Sequence, residues 1–287
     1  MTIANEVLEV SGKTAGAELT RVYHKQHGID YLWNADPEYW GKHAPVLFPI
    51  VGTLRDDTYH YQDKSYYLPR HGFARDKTFA LKEQHPDRIC FELKSDEESL
   101  KHYPFSFTLR ICYHLEGSVL TNQYEVINDG EEPMYFSIGG HPAFRLPMET
   151  GRDFEDYYLE FEQPGTIQRW TLQNNLINTH PKPFLQGQKI LPLSRELFEN
   201  DAVILKHLSS GTCSLKSRAS RHGLTMKMQG FPYFGIWSAP GAPFVCLEPW
   251  HGLADSLYHN QRLEEKEGII KLDAQETWKK SWSISFW

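Results

Sequence analysis

A chain of 287 residues carries 30 lysine and arginine side chains against 37 aspartates and glutamates, a formal charge of −7. That balance leaves no broad positive field, which argues against nucleic acid or an anionic membrane as partner and points to a small ligand of modest charge. No apolar run approaches the ~20 residues of a membrane helix, and residues 1–9 lack a basic start followed by an apolar core, so a soluble chain made without a secretion signal is expected.

In chain order, the apolar pattern alternates through most of the sequence, as in strands half buried against a core. The tract Asp36-Pro37-Glu38-Tyr39-Trp40 reads as a turn with proline near a helix start. A hairpin is expected around Gln62-Asp63-Lys64-Ser65, between Tyr59-His60-Tyr61 and Tyr66-Tyr67-Leu68. Ser95, with Glu98 three residues on, has the form of a helix cap, and the short helix it opens ends by Tyr103-Pro104. Phe105, Phe107, Leu109, Ile111, Tyr113 and Leu115 then share one face of a long strand, opposite Ser106, Thr108, Arg110, Cys112 and His114. Turns at Glu116-Gly117-Ser118 and Asn128-Asp129-Gly130 predict that residues 119–127 and 134–138 follow as second and third antiparallel strands. Phe244-Val245-Cys246-Leu247 is apolar on both sides and belongs mid-sheet, and Trp282, Ile284 and Phe286 alternate as a closing strand.

These elements predict an all-β chain of two large antiparallel twisted sheets packed face to face, with few short helices. All-β domains reach ~200–250 residues as one unit, and no linker, repeat or low-complexity stretch interrupts this sequence. Residues 1–287 are therefore expected to form one domain. Cys90, Cys112, Cys213 and Cys246 lie in strand-like settings without the paired spacing of zinc or redox sites, so buried free thiols in a reducing cytoplasm are expected.

Two strings carry the chemistry: Gly139-Gly140-His141-Pro142-Ala143-Phe144 and Val245-Cys246-Leu247-Glu248-Pro249-Trp250. Each closes an extended apolar run with a titratable side chain followed by proline, which cannot donate to a sheet ladder. His141 and Glu248 are therefore expected where strands end and loops open. Alternation places Glu248 on the face of Phe244 and Cys246, shielded from water, which raises its pKa and makes it a better base. An imidazole and a carboxylate make a workable acid and base, although alone the first also suits a turn and the second a surface position. His24, His27, His180, His207 and His222 show no ligand spacing and read as surface residues, whereas His251 opens a loop expected to rim a cleft. Trp33, Trp40, Phe73, Trp237 and Trp250 suit either a core or a sugar-stacking platform, the core being the commoner use. Gly235, Gly241 and Gly252 form no phosphate-cradling loop, so no nucleotide is implied.

Further tracts join these: Gly16-Ala17-Glu18-Leu19, Tyr31-Leu32-Trp33-Asn34-Ala35-Asp36-Pro37, Ala44-Pro45-Val46-Leu47-Phe48-Pro49-Ile50-Val51-Gly52 and His71-Gly72-Phe73-Ala74-Arg75. Together they resemble the aldose 1-epimerase (galactose mutarotase-like) family, most closely its LacX-type branch, over nearly the whole chain. The resemblance implies a β-supersandwich and interconversion of the α and β anomers of a free hexose such as galactose or glucose. By motif, His141 resembles the general acid and Glu248 the general base, and Arg55 and His71 resemble residues lining the sugar site. Asp201, in Asn200-Asp201-Ala202-Val203, resembles a carboxylate that holds sugar hydroxyls, and Arg75 is a further candidate.

Ring opening removes a proton from the hydroxyl on C1 while the ring oxygen gains one, so one base and one acid on opposite sides suffice. Neither a metal nor a redox cofactor has a task in that scheme. The expected partner is a small sugar, and the chain is expected as a monomer or homodimer. A close variant acts on a hexose 6-phosphate, with Arg55, Arg70 and Arg75 meeting the phosphate. A non-catalytic sugar-binding or sensing protein is a second class. A glycoside hydrolase or lyase is a third, for which Asp201 is the only second carboxylate on offer.

Overall fold

Strand pairing organises the computed structural model, which describes residues 1–287. A nine-stranded antiparallel sheet runs, in spatial order, Ile190–Pro192, Tyr157–Phe161, Thr212–Ser217, Leu224–Lys227, Thr277–Phe286, Val119–Asn128, Phe107–Glu116, Arg88–Lys94 and Ala80–Gln84. A second antiparallel sheet runs Lys182–Gln186, Thr166–Trp170, Val203–Lys206, Tyr233–Trp237, Phe244–His251, Ile138–Gly140 and Val46–Leu47, and Ala143–Arg145 also pairs with Phe244–His251. Leu109, Ile111, Val126 and Ile284 of the first sheet join Leu205, Phe234, Ile236, Val245 and Leu247 of the second in one core of 64 buried residues. Each such side chain contributes ~1.5–3 kcal/mol on burial, which is why alternation so long and regular specifies strands. A four-stranded sheet of Thr2–Ala4, Leu8–Gly12, Leu19–His24 and Ile29–Asp30 adds to the same core through Ile3, Leu8, Val10 and Val22.

Several local expectations shift. The hairpin at residues 58–67 forms, but Lys64 and Ser65 join its second strand, leaving Gln62 and Asp63 as a two-residue turn with φ of 47° and 61°. Positive φ at both central residues gives the turn whose twist matches the strands it links. The helix Glu97–His102 is capped by Asp96, one residue later than expected, with Ser99 completing the capping box. A carboxylate suits the positive end of a helix, and the Ser95 hydroxyl instead accepts the Phe107 N–H, pinning the strand that follows. The third strand of the predicted meander does not join its neighbours. The buried Asn128 amide donates to the Glu132 and Leu272 carbonyls and draws the chain aside. Met134–Phe136 then pairs with Ile270–Leu272, and Ile138–Gly140 crosses to the second sheet.

Two further expectations are corrected. Cys90 and Cys112 are not free: they face each other in the register of adjacent strands and form a disulfide, whereas Cys213 and Cys246 are free and buried. His24 is not a surface residue; it is buried, with its ring stacked on His27 at 3.6 Å. No helix is long and apolar enough to cross a membrane.

Candidate active site

Strand Phe244–His251 is buried along seven of its eight residues, and its two faces do different work. Val245 and Leu247 point into the core, while Cys246, Glu248 and Trp250 point to the opposite face of the second sheet. There the loops at residues 40, 51–53, 70–75 and 198–202 and the hairpin at residues 172–177 enclose a cavity of about 480 Å³. Glu248 lines it from within the strand, not from the strand end that Pro249 suggests. Leu247 N–H donates to Pro142 O, so residue 249, two positions on, turns its amide position to the same side. On that side the neighbouring strand is interrupted between Gly140 and Ala143, so proline withholds no ladder hydrogen bond.

The same interruption delivers His141, which stands directly after Ile138–Gly140 as expected. Its ring stacks on Trp40 at 4.9 Å and meets Trp237 and His71 edge-on at 5.6 and 5.8 Å. Room for the indole of Trp250 comes from two glycines on flanking strands. A Cβ on Gly139 would lie 2.6 Å from that ring, and one on Gly235, directly opposite Glu248 in the register, would lie 2.5 Å from it.

His141 Nε2 lies 3.2 Å from Glu248 Oε2. Acid and base therefore stand side by side on the cavity floor and not on opposite sides of a ligand. Glu248 is 1% exposed and His141 9%. Apart from that contact, Glu248 Oε2 and His141 Nδ1 are buried without a hydrogen-bond partner in the protein. Burial pushes the Glu248 carboxyl well above its usual range, Arg70 opposing and Asp201 adding to the shift. Burial also pushes the His141 imidazole down to about 3, assisted by Arg70 and Arg75. Low dielectric thus disfavours charge on either partner, and the uncharged state of the pair carries one proton.

His71 adopts φ of 69° and is tied to Gly52 both ways: its own N–H donates to Gly52 O, and Gly52 N–H donates to its Nδ1 at 3.1 Å. Arg70 Nε approaches its other ring nitrogen to 3.2 Å. A neutral imidazole has one lone pair for two donors, so either arrangement leaves His71 uncharged. Burial, with His141, Arg70 and Arg75 nearby, pushes its pKa well down in the same sense. Asp201 lies opposite, its Oδ1 accepting the Ala202 N–H and its Oδ2 3.6 Å from the Arg70 guanidinium. Arg75 donates to Arg70 O at 2.8 Å and lines the cavity.

Of the six residues singled out in the sequence, the structure gathers His141, Glu248, His71, Arg75 and Asp201 around one cavity and leaves Arg55 outside it. Asp255 accepts the Arg55 backbone N–H at 2.9 Å, and the Arg55 side chain turns along the surface to His259 O. Arg70, singled out in the sequence only as a partner for a phosphate, also lines the cavity, and its position immediately before His71 was the available signal. Asn175 and Glu199 also line the cavity, and no motif marked them. Trp40, Trp237 and Trp250 face the cavity, whereas Phe73 packs against the main core and Trp33 braces the wall by donating from its indole to Trp40 O. His251 is turned away, toward Gly268 O. One ligand-type atom each from His141, Cys246 and Glu248 lies within 4.8 Å of the others, the one grouping of three able to hold a metal.

Comparison with known proteins agrees with this architecture. The aldose 1-epimerase family profile matches residues 1–269. Protein LacX (chromosomal) of Lactococcus lactis subsp. lactis is 39% identical over 293 residues, covering 99% of this chain and 98% of its own. A galactose mutarotase related enzyme from Lactobacillus acidophilus superposes with a TM-score of 0.96 at 34% identity, over 100% of this chain and 97% of its own. A galactose mutarotase-like protein from Lactobacillus casei ATCC 334 gives 0.94 at 31% identity, over 100% and 99%.

Proposed function

This chain belongs to the aldose 1-epimerase family, and on that premise we propose that it interconverts the α and β anomers of a free hexose such as galactose or glucose. The observation that carries the proposal is the 3.2 Å contact between His141 Nε2 and Glu248 Oε2 on the floor of a cavity whose size suits a small ligand. The hydroxyl oxygen on C1 and the ring oxygen are bonded to the same carbon, so an acid and a base serving both must stand next to each other. With the one proton of the pair on His141 Nε2, Glu248 takes the proton from the C1 hydroxyl as His141 passes its own to the ring oxygen, and the C1–ring oxygen bond opens to the aldehyde. Rotation about C1–C2 presents the other face, and the two proton transfers run in reverse. The pair ends with the one proton it began with.

Each positioned group contributes on the order of 10²–10⁴ in rate, or roughly 3–5 kcal/mol. Arg70 favours the anionic form of Glu248, the form that takes the proton. Arg70, Arg75, His71 and Asp201 are the groups proposed to hold the hydroxyls. The cavity sets the carboxylates Asp201 and Glu199 against the two guanidiniums, a balance that favours an uncharged sugar over a sugar phosphate. The shared core from Ile3 to Phe286 supports treating residues 1–287 as one domain.

The test is polarimetry or NMR on freshly dissolved α-glucose, α-galactose and glucose 6-phosphate, comparing wild type with His141→Asn and Glu248→Gln. Faster anomer equilibration of a free hexose, lost in both variants, is the expected result. A wild type that matches buffer for every sugar, while calorimetry detects saccharide binding, would replace this reading with a sensing protein.

A further inference from the structure

We infer that the cavity floor is also an inhibitory site for a thiophilic divalent metal, Zn²⁺ above all, held by His141, Cys246 and Glu248. The strand supplies two of the ligands: residues 246 and 248 lie two apart and so share a face, and the interrupted neighbouring strand sets His141 beside them. One donor atom from each falls within 4.8 Å of the other two, and all three side chains are buried. Imidazole, thiolate and carboxylate are the three side-chain classes that bind zinc, at about 2.0–2.3 Å, and three protein ligands leave a fourth tetrahedral position. The 3.2 Å between His141 Nε2 and Glu248 Oε2 is already close to the separation of two donors on one such ion.

Little stands in the way of the metal. His141 Nδ1 has no hydrogen-bond partner, Cys246 is a free thiol, and the contact between His141 Nε2 and Glu248 Oε2 gives up its proton as the ion enters. His141 and Glu248 line the cavity, which provides the route in and places water or a sugar hydroxyl in the fourth position. Burial opposes the thiolate and carboxylate while they stand alone, but a divalent cation brings the missing counter-charge and deprotonates a coordinating thiol. Binding releases the Cys246 thiol proton and the one proton of the His141–Glu248 pair to solvent, two in all. Binding is accordingly tighter at higher pH. With both members of the pair ligated, neither serves as acid or base. That inhibitory consequence rests on the proposed mutarotation, whereas the binding does not.

The full chain, freed of metal with a chelator, is titrated with Co²⁺ while near-ultraviolet thiolate-to-metal absorption is followed, and with Zn²⁺ by calorimetry at two pH values. One equivalent is expected, with tighter Zn²⁺ binding at the higher pH. Cys246→Ala and His141→Asn should each abolish the Co²⁺ band, and Cys213→Ala, the control at the other free thiol, should keep it. Cys246→Ala should equilibrate anomers at the wild-type rate in chelator yet resist the Zn²⁺ concentration that stops wild type, and chelator should restore the wild type. No stoichiometric band, a band that survives Cys246→Ala, or Zn²⁺ bound without inhibition of an active wild type would overturn the inference. An inactive wild type that still gives the Cys246-dependent band would retain the metal site and refute only the mutarotase reading.

Discussion

Replacing Gly235 with alanine tests how the floor of the cavity is built. The new Cβ would lie 2.5 Å from Cη2 and Cζ2 of Trp250, about an ångström inside the ~3.5–4.0 Å of a normal carbon contact. The ring has no room to slide sideways, because its other end already covers Gly139, where a Cβ would lie 2.6 Å from it. Overpacking of this kind costs ~1–3 kcal/mol. In a chain of this size each kcal/mol lowers Tm by ~2–4 °C, so a drop of about 2–12 °C is expected. The open direction for the indole is away from the sheet, into the cavity beside Glu248, so KM for the hexose should rise several-fold while kcat changes less. Thermal unfolding and initial-rate polarimetry measure both effects. Gly211→Ala, whose nearest new contact is 3.6 Å away at Gln229, is the control and should be neutral. A Gly235→Ala protein with wild-type Tm and KM would refute the packing argument.

Asp255→Asn removes the carboxylate that accepts from the Lys266 ammonium at 2.6 Å, both side chains being fully buried, and should cost ~3–5 kcal/mol in a urea titration because an unpaired charge is left inside. Bonds from His259, Lys266 and the Arg55 N–H outweigh burial and hold the Asp255 carboxyl at about 2. Since that lies below its unfolded value, the stabilisation is complete above about pH 4 and disappears as pH falls toward 2, and acid titrations of wild type and variant should converge there. The mutarotation rate should stay level as pH falls from 7 to 5, because the second proton on the pair must enter a His141 imidazole held at about 3; loss of half the rate between pH 7 and 6 would contradict the one-proton pair. Arg55→Ala should leave KM within about twofold, whereas Arg70→Ala, which strips a charge from Asp201, His71 and Glu248, should raise it by an order of magnitude or more, a loss of at least ~1.4 kcal/mol.

What local rules govern was legible in the chain alone. Side-chain alternation is a property of the strand backbone, so Val245 and Leu247 in the core with Cys246 and Glu248 on the other face followed from order and hydropathy. The placement of His141 after two glycines and before proline followed in the same way. Decisions that depend on what another part of the chain brings into reach were not legible. Pro249 reads as a strand stop until the neighbouring strand is seen to be broken beside it. Arg55 and Arg70 are equivalent as loop arginines, and only the Asp255 carboxylate, two hundred residues from Arg55, turns the first outward. Cys90 and Cys112 look like isolated thiols until strand register sets them opposite each other. Acid and base stand in contact because two strands distant in sequence pair with a one-residue precision that no local pattern encodes.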